Sequence, residues 1–407
     1  MPAAKGLGIT GDWHMDLAKT RADFPLLQHA VYLDSSATSL CPEQVIAKTD
    51  EYYREYKANI HRGAHHLSQR ATNEYGAVYE KLARFTGGRP ENYFHTKNAT
   101  EAINLVALGL DWKKDANIVT TTIEHHSNYL PWLRLAKRGS VKELRAVAPI
   151  DKQGLFSLDD FEKKIDSHTQ LVAITACSNV LGNKPQVREI TKIAHDAGAL
   201  VLLDAAQLIG HAEADFKRLG VDFAAFSGHK MLAPSGTGVL YHAGDFASPV
   251  IGGGMITSVT LTDYSLMPAP QGEEAGTPNI AGVIGLGAAI DYISKIGFAQ
   301  IEAHEMKLVK AMLDELANAN ADVYGPLDPS KKAGLVAFNI GKLPAHQVAV
   351  MADQLEKVCI RSGHHCAMPL HHSLGIKGSV RASVHLYNNE ADVQAFGRAI
   401  KKISALA

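Results

Sequence analysis

No apolar run in this 407-residue sequence approaches the roughly 18 residues a membrane-spanning helix needs, so no membrane partner is expected. The opening segment, MPAAKGLGITGDWHMD, lacks a basic flank followed by an apolar core and does not read as a secretory signal. Neither sign of charge dominates. The 41 Lys and Arg against 42 Asp and Glu leave a formal charge of -1, which argues against nucleic acid or an anionic surface as partner. Cysteine is scarce: Cys41, Cys177, Cys359 and Cys366 are too scattered for a disulfide framework, and no CxxC pair suggests zinc or a thioredoxin-like motif. That usage fits a reducing compartment, with the cytosol as expected location, where a lone thiol can act as a nucleophile. Low-complexity tracts and internal repeats are also missing.

The length points instead to two folded units. Histidine is abundant, at 20 residues, with adjacent pairs at 65–66, 125–126, 364–365 and 371–372. Adjacent side chains on a strand point to opposite faces, so such pairs make poor chelates and no metal site is expected. Residues 1–30 read as an irregular lead-in with one short helix, packing with the smaller unit. Val31–Asp34 reads as a strand opening the core, and helices are expected over 42–56, 68–86 and 98–110, the last capped by Thr96 or Asn98. Short apolar runs then follow at 116–120, 170–175, 199–204, 223–226 and 238–241, with a Gly-closed amphipathic helix over 185–198. Continuous apolar strands separated by helices predict a mostly parallel sheet covered on both faces. A helical stretch over 280–319 leads to a compact α+β segment with a strand at 335–340, a helix at 344–357, a strand at 379–386 and a last helix at 389–406. The predicted division is 1–30, 31–290 for the large domain and 291–407 for the small one.

Ligands in such sheets bind at the carboxyl ends of strands, where the polar residues of interest fall. Asp204 ends an otherwise apolar strand; alone it reads as readily as a helix cap or a core ion pair. Lys230 closes the strand Phe223–Phe226 in Ser227-Gly-His-Lys230, and alone it reads as a solvated end. Together they bring an acid and an amine to one crevice. A pyridoxal ring needs both, an amine for its aldehyde and a carboxylate to keep the ring nitrogen protonated. His95-Thr-Lys-Asn-Ala-Thr-Glu101 runs into a helix whose free amides and Thr100 hydroxyl suit a phosphate, with Ser227 and His229 as further donors. A third strand end, Ile123-Glu-His-His-Ser-Asn128, offers an imidazole, either structural or able to stack on the ring.

Five segments in order and spacing, Glu124-His-His-Ser-Asn128, Leu203-Asp-Ala-Ala-Gln207, Ser227-Gly-His-Lys230, Glu274-Ala-Gly-Thr-Pro-Asn279 and Arg361-Ser-Gly-His-His-Cys-Ala-Met-Pro369, resemble those of the cysteine desulfurases. The last is similar to the group II, SufS-type branch, near the selenocysteine lyases. The resemblance runs from Tyr32 to the C-terminus. It implies the α/β, aspartate-aminotransferase-like fold type I architecture, with a mostly parallel seven-stranded sheet and a smaller α+β C-terminal domain. It also implies pyridoxal 5′-phosphate bound to Lys230, with Asp204 on the ring nitrogen, His125 stacked on the ring and Gln207 on the phenolic oxygen. Thr100, Ser227 and His229 would hold the phosphate, with the amide of Ala99, which stands where many relatives carry a hydroxyl. Asn179, Arg381 and Arg361 would meet the L-cysteine substrate. Arginine suits its carboxylate because the guanidinium fork makes two parallel bonds. Cys366 would take the sulfur as a persulfide, with His364, His365 and Arg361 as cationic neighbours able to lower its pKa. Thr277 would reach a neighbouring subunit's phosphate, implying a homodimer, and the persulfide would pass to an acceptor protein of iron–sulfur cluster assembly.

Departures from the family pattern touch the periphery. Met267-Pro-Ala-Pro-Gln-Gly-Glu273 lacks the aromatic and basic residues usual before the Glu274 motif, and the pair His371-His372 is unusual, reading as surface decoration. The nearest rival is a lyase acting on L-selenocysteine, for which Cys366 is dispensable because selenium leaves more readily. Aminotransferase, kynureninase-like or epimerase chemistry on the same cofactor, or a non-catalytic sulfur carrier, are further readings; the thiol in its polar loop argues against the first group.

Overall fold

The computed structural model describes residues 15–406. The expectation for the lead-in therefore falls partly outside the described residues; within them, residues 17–22 form a short helix capped by Asp16. Arg21 in that helix makes a bidentate pair with the buried Asp392 at 2.8 and 2.9 Å, tying the lead-in to the last helix of the chain.

Seven strands build the main sheet: β1 (Tyr93–Thr96), β2 (Asn117–Thr121), β3 (Glu143–Val147), β4 (Thr169–Thr175), β5 (Leu200–Asp204), β6 (Phe223–Ser227) and β7 (Gly238–His242). Their spatial order is β1-β7-β6-β5-β4-β2-β3, with only β7 antiparallel to its neighbours. The strands from β2 to β6, β3 apart, are almost entirely buried, as expected for a parallel sheet clad by helices on both faces. The register pairs Thr175 with Asp204 and Asp204 with Ala225, so the carboxyl ends of β4, β5 and β6 finish side by side. Helices Glu43–Glu55 and His66–Thr86 pack against the apolar helix Ile280–Ile296.

The helical stretch expected over 280–319 is two helices. Gly297, at φ 87°, breaks it, and the second helix, Phe298–Asn318, leaves at 79° to the first. The chain thus changes course at Gly297, because only glycine takes that φ without strain. A four-stranded sheet follows, ordered Asp322–Tyr324, Leu335–Asn339, Ser379–Ser383, Arg361–Gly363 and wholly antiparallel. It packs with the helices Phe298–Asn318, Ala345–Glu356 and Glu390–Ser404 around its own core. The strand expected to open the core lies outside the large sheet: Val31–Tyr32 pairs in parallel with Val358–Cys359, and Asp34 bridges to Ser383. Its apolar residues are satisfied by the smaller core, which carries Asp34 to the edge shared with the large sheet. No single helix among the described residues is long and apolar enough to cross a membrane.

Candidate active site

At the carboxyl ends of β4, β5 and β6 lies a cavity of about 200 Å³, lined from the large sheet by Asn98, Ala99, Thr100, His125, Ser127, Thr175, Cys177, Asn179, Asp204, Gln207, Ser227, His229 and Lys230. Ser36, Ala37, Arg361, His365 and Arg381 close it from the other side. Asp204 is buried, and its Oδ1 accepts one bond, from the Ala206 amide at 3.0 Å. Burial pushes its carboxyl upward, opposed by that bond and by the Lys230 charge. Lys230 ends the single turn Gly228–Lys230 after β6. Burial brings its amine down to about 8, with Asp204 pulling the other way. A buried carboxylate with one backbone donor and an amine poised near neutrality leave both groups able to engage a ring cation and an aldehyde.

The helix Ala99–Gly109 points its N-terminus into this cavity, capped by Asn98, whose Oδ1 accepts from the Glu101 amide at 2.9 Å. The approach is close because Gly238 in β7 has no side chain: a Cβ there would lie 2.5 Å from the Asn98 Cα. Thr100 and Ser127 hydroxyls meet at 2.6 Å, and Ser227 Oγ accepts from the Ala99 amide at 2.8 Å. Helix amides, two paired hydroxyls and a third at the strand end form a cradle for an anion. Burial, aided by the Lys230 charge, lowers His229 to about 4, so it meets an anion as a neutral donor.

His125 caps the turn after β2, its Nδ1 accepting from the Ser127 amide at 3.1 Å. Burial, then the Lys230 charge, lowers it to about 3, so the ring is neutral and can lie against a flat apolar face. Beneath it, the buried Glu124 bonds the Thr121 hydroxyl at 2.6 Å, the Asn128 amide at 2.7 Å and the Thr175 backbone at 3.0 Å. Burial raises this carboxyl to about 8 despite those donors. Glu124 is therefore the brace that fixes the His125 turn to β4.

From the smaller unit, Arg381 stands directly across the strand pair from Arg361. Arg381 is 1% exposed; it donates to the Asn179 carbonyl at 2.9 Å and pairs with Asp34 at 3.1 Å, while its Nε has no protein partner. Burial pulls the guanidinium down to about 10, against the pull of Asp34. Two facing arginines with one orphaned buried N–H call for an anion such as a carboxylate. Cys366 follows His365 in the next loop and is solvent-exposed, whereas Cys177 is buried and its thiol pushed up to about 12.

Most of the residues singled out in the sequence thus share one cavity. His364, Cys366 and Thr277 do not line it. Thr277 lines a separate cavity of about 250 Å³ with Asn59, His61 and Arg62. Four expectations change in detail. Gln207 spends one amide hydrogen on the Ser36 carbonyl at 2.9 Å, leaving one to give. Asn179 directs its amide to the His365 carbonyl at 2.7 Å, and so braces the cysteine loop. His365 is not a cationic neighbour of Cys366: burial drives it to about 2, because its ring is enclosed with Arg381 close by. His371, read as decoration, is fully buried, its ring between the Ala367 carbonyl at 3.0 Å and Ser379 Oγ at 3.1 Å. Asp34, Ser127, Glu124 and His126 were not singled out; the last three sit inside the Glu124–Asn128 motif, which was the available signal.

A model of the class-V aminotransferase family matches residues 31–396, and the chain belongs to that family. It is 47% identical over 383 residues to a probable cysteine desulfurase of Pyrococcus abyssi, covering 92% of this chain and 94% of that one. Its fold is similar to that of the cysteine desulfurase of Thermococcus onnurineus NA1 solved without ligand, with 44% identity, a TM-score of 0.93, and 98% and 100% of the two chains covered. The cysteine desulfurase CsdA of Escherichia coli follows at 33% identity, a TM-score of 0.89, and 96% and 99% coverage.

Proposed function

We propose that the protein is a pyridoxal-phosphate-dependent cysteine desulfurase, converting L-cysteine to L-alanine and taking the sulfur onto Cys366. The observation that carries this reading is the meeting of Asp204, Lys230 and His125 with Arg381 in one cavity, beside an exposed cysteine loop. The residues present fit the cofactor. Lys230 would bind its aldehyde, Asp204 its ring nitrogen, His125 its face and the remaining Gln207 hydrogen its phenolic oxygen. The Thr100 amide and hydroxyl, with Ser227 and His229, would hold its phosphate, whereas the Ala99 amide, expected to share in this, gives its one hydrogen to Ser227 Oγ and so positions that hydroxyl instead. When bound, pyridoxal phosphate supplies an electron sink for the charge left as an amino acid gives up its α-proton.

The side chains then divide the work. Arg381, with Arg361 across the strand pair, grips the substrate carboxylate and fixes which Cα bond faces Lys230. Lys230 Nζ, which burial lowers to about 8, takes the α-proton in its neutral form and later returns one to carbon. Cys366 Sγ attacks the substrate sulfur as a thiolate: an S–S bond forms, the β-carbon–sulfur bond breaks, and its electron pair stays with the carbon fragment, which two protonations turn into alanine. The exposure of Cys366 supports onward transfer to an acceptor protein, which family analogy places in iron–sulfur cluster assembly. We also propose a homodimer in the cytoplasm: Thr277, away from its own cavity with His61 and Arg62, is set to serve a partner subunit's site.

Purified protein given L-cysteine and a reductant should release sulfide and alanine in equal amounts, and Cys366→Ala should release neither while keeping the cofactor's imine absorbance. Equal turnover by both proteins would overturn the role of Cys366 and turn attention to selenocysteine.

A further inference from the structure

We infer that His126 is a positioning residue for the Cys366 nucleophile, clamping both sides of the turn that presents the thiol; the inference rests on the desulfurase reading. The turn is unusual in its backbone. His365 and Cys366 have φ of 49° and 57°, a left-handed conformation that non-glycine residues adopt rarely and rarely in succession. Such a turn holds only where its surroundings dictate it. Within the loop, the Ala367 amide bonds the His364 carbonyl at 2.8 Å. Everything else comes from outside. The His365 carbonyl takes the Asn179 amide at 2.7 Å, and the His365 ring meets the Ser379 carbonyl at 3.0 Å.

The Ala367 carbonyl takes His371 Nδ1 at 3.0 Å, and two further bonds, at Cys366 and Met368, both belong to His126. Its backbone amide donates to the Cys366 carbonyl at 2.7 Å, and its Nε2 accepts from the Met368 amide at 3.1 Å. One residue of the large sheet therefore holds the reactive cysteine's own carbonyl and the amide two positions on. Its footing is firm, because the turn His126–Asn128 is fastened through Asn128 to the buried Glu124. Accepting at Nε2 requires a neutral ring with its proton on Nδ1. Partial burial and the nearby His364 both disfavour the imidazolium, consistent with that state. His126 does not line the cavity, although His125 and Ser127 on either side do. Its ring can thus affect where the sulfur nucleophile stands without touching the group that binds the amino acid.

The clamp is tested with His126→Ala, which removes the acceptor, and His126→Gln, whose Oε1 can replace Nε2 as acceptor for the Met368 amide. The holoenzymes are compared by KM for L-cysteine, by the single-turnover rate of persulfide formation on Cys366, and by hydrogen exchange of residues 364–368. His126→Ala should slow persulfide formation about tenfold, leave KM within about twofold, and speed exchange at Met368; His126→Gln should restore rate and protection. Wild-type rate and exchange in His126→Ala, a glutamine variant as impaired as alanine, or a rise in KM matching the loss of rate would each overturn the clamp. Failure of the wild type itself to form a persulfide would defeat the desulfurase reading, while exchange at Met368 would still decide for or against the clamp.

Discussion

Replacing Gly238 by alanine tests whether the helix starting at Ala99 holds the cofactor phosphate. The added Cβ would stand 2.5 Å from the Asn98 Cα and 2.7 Å from its backbone N and C. Carbon atoms in contact prefer separations near 3.5–4.0 Å, so one backbone must yield by about 1 Å. β7 is the less free to move, since Gly238 pairs with Thr96 on one side and with Ser227 on the other. The helix N-terminus must therefore retreat, stretching the bonds of the Ala99 amide to Ser227 at 2.8 Å and of Thr100 to Ser127 at 2.6 Å. Overpacking costs about 1–3 kcal/mol, and a buried amide left without its partner about as much again, so a stability loss of about 3 kcal/mol is expected. Binding distinguishes the phosphate cradle from general damage. Pyridoxal phosphate should bind about tenfold more weakly to the variant, whereas unphosphorylated pyridoxal should lose far less. Titrating both aldehydes into cofactor-free wild type and variant, alongside thermal melting, measures each effect. Equal weakening for the two aldehydes would refute the phosphate assignment, and an unchanged melting temperature would refute the steric argument.

Other perturbations bear on the remaining roles. Asp204→Asn removes the carboxylate proposed to face the ring nitrogen and should lower turnover roughly 100-fold, the equivalent of about 3 kcal/mol, with cofactor still attached to Lys230; turnover near wild type would remove Asp204 from the chemistry. The Lys230 amine, lowered to about 8 by burial, reacts with an aldehyde only when neutral. Capture of cofactor by the empty protein should therefore accelerate as pH rises through that value, from about one-tenth neutral amine one unit below it to about nine-tenths one unit above. A stopped-flow profile flat across that window would contradict the burial argument. Arg381→Lys keeps the charge but loses the fork and should raise KM for L-cysteine about tenfold, without changing the cofactor spectrum; an unchanged KM would place the carboxylate elsewhere.

The sequence carried the central strands because they are buried on both faces and read as unbroken apolar runs. β3 escaped notice for the opposite reason: it is an edge strand, half exposed, and spends Glu143 and Arg145 on an ion pair rather than on apolar burial. β1 is four residues long and runs at once into the segment whose capping residues mark a helix start. Val31–Tyr32 looks like any core strand, and only its distant partner, Val358–Cys359, reveals which unit it joins. At the site, the residue types were legible from strand ends and motifs, whereas their hydrogen-bond commitments were not. Nothing in Ser227-Gly-His-Lys230 announces that Ser227 receives the Ala99 amide, because that contact depends on how closely a helix approaches Gly238. The charge of His365 was equally hidden, since enclosure of the ring decides it.

Two demands meet at Asn179. A desulfurase must hold the amino acid by its carboxylate and also bring a thiol to the far end of the same small molecule, and these tasks fall to different strands and loops of the smaller unit. Independent motion of the two would separate bond cleavage from sulfur capture. Asn179 gives its carbonyl to Arg381 at 2.9 Å and its side-chain amide to the His365 carbonyl at 2.7 Å. Arg381 and the cysteine loop are therefore referenced to one residue beyond the end of β4, which the register keeps beside Asp204 in β5. His126 adds a second attachment of the same loop to the same sheet. Since both attachments spring from strand ends that also bear the groups proposed to bind the ring, the rigid sheet would serve as the common frame for substrate, cofactor and nucleophile. On that frame a proton transfer at Lys230 and a sulfur transfer to Cys366 can follow one another without rearranging the smaller unit between them.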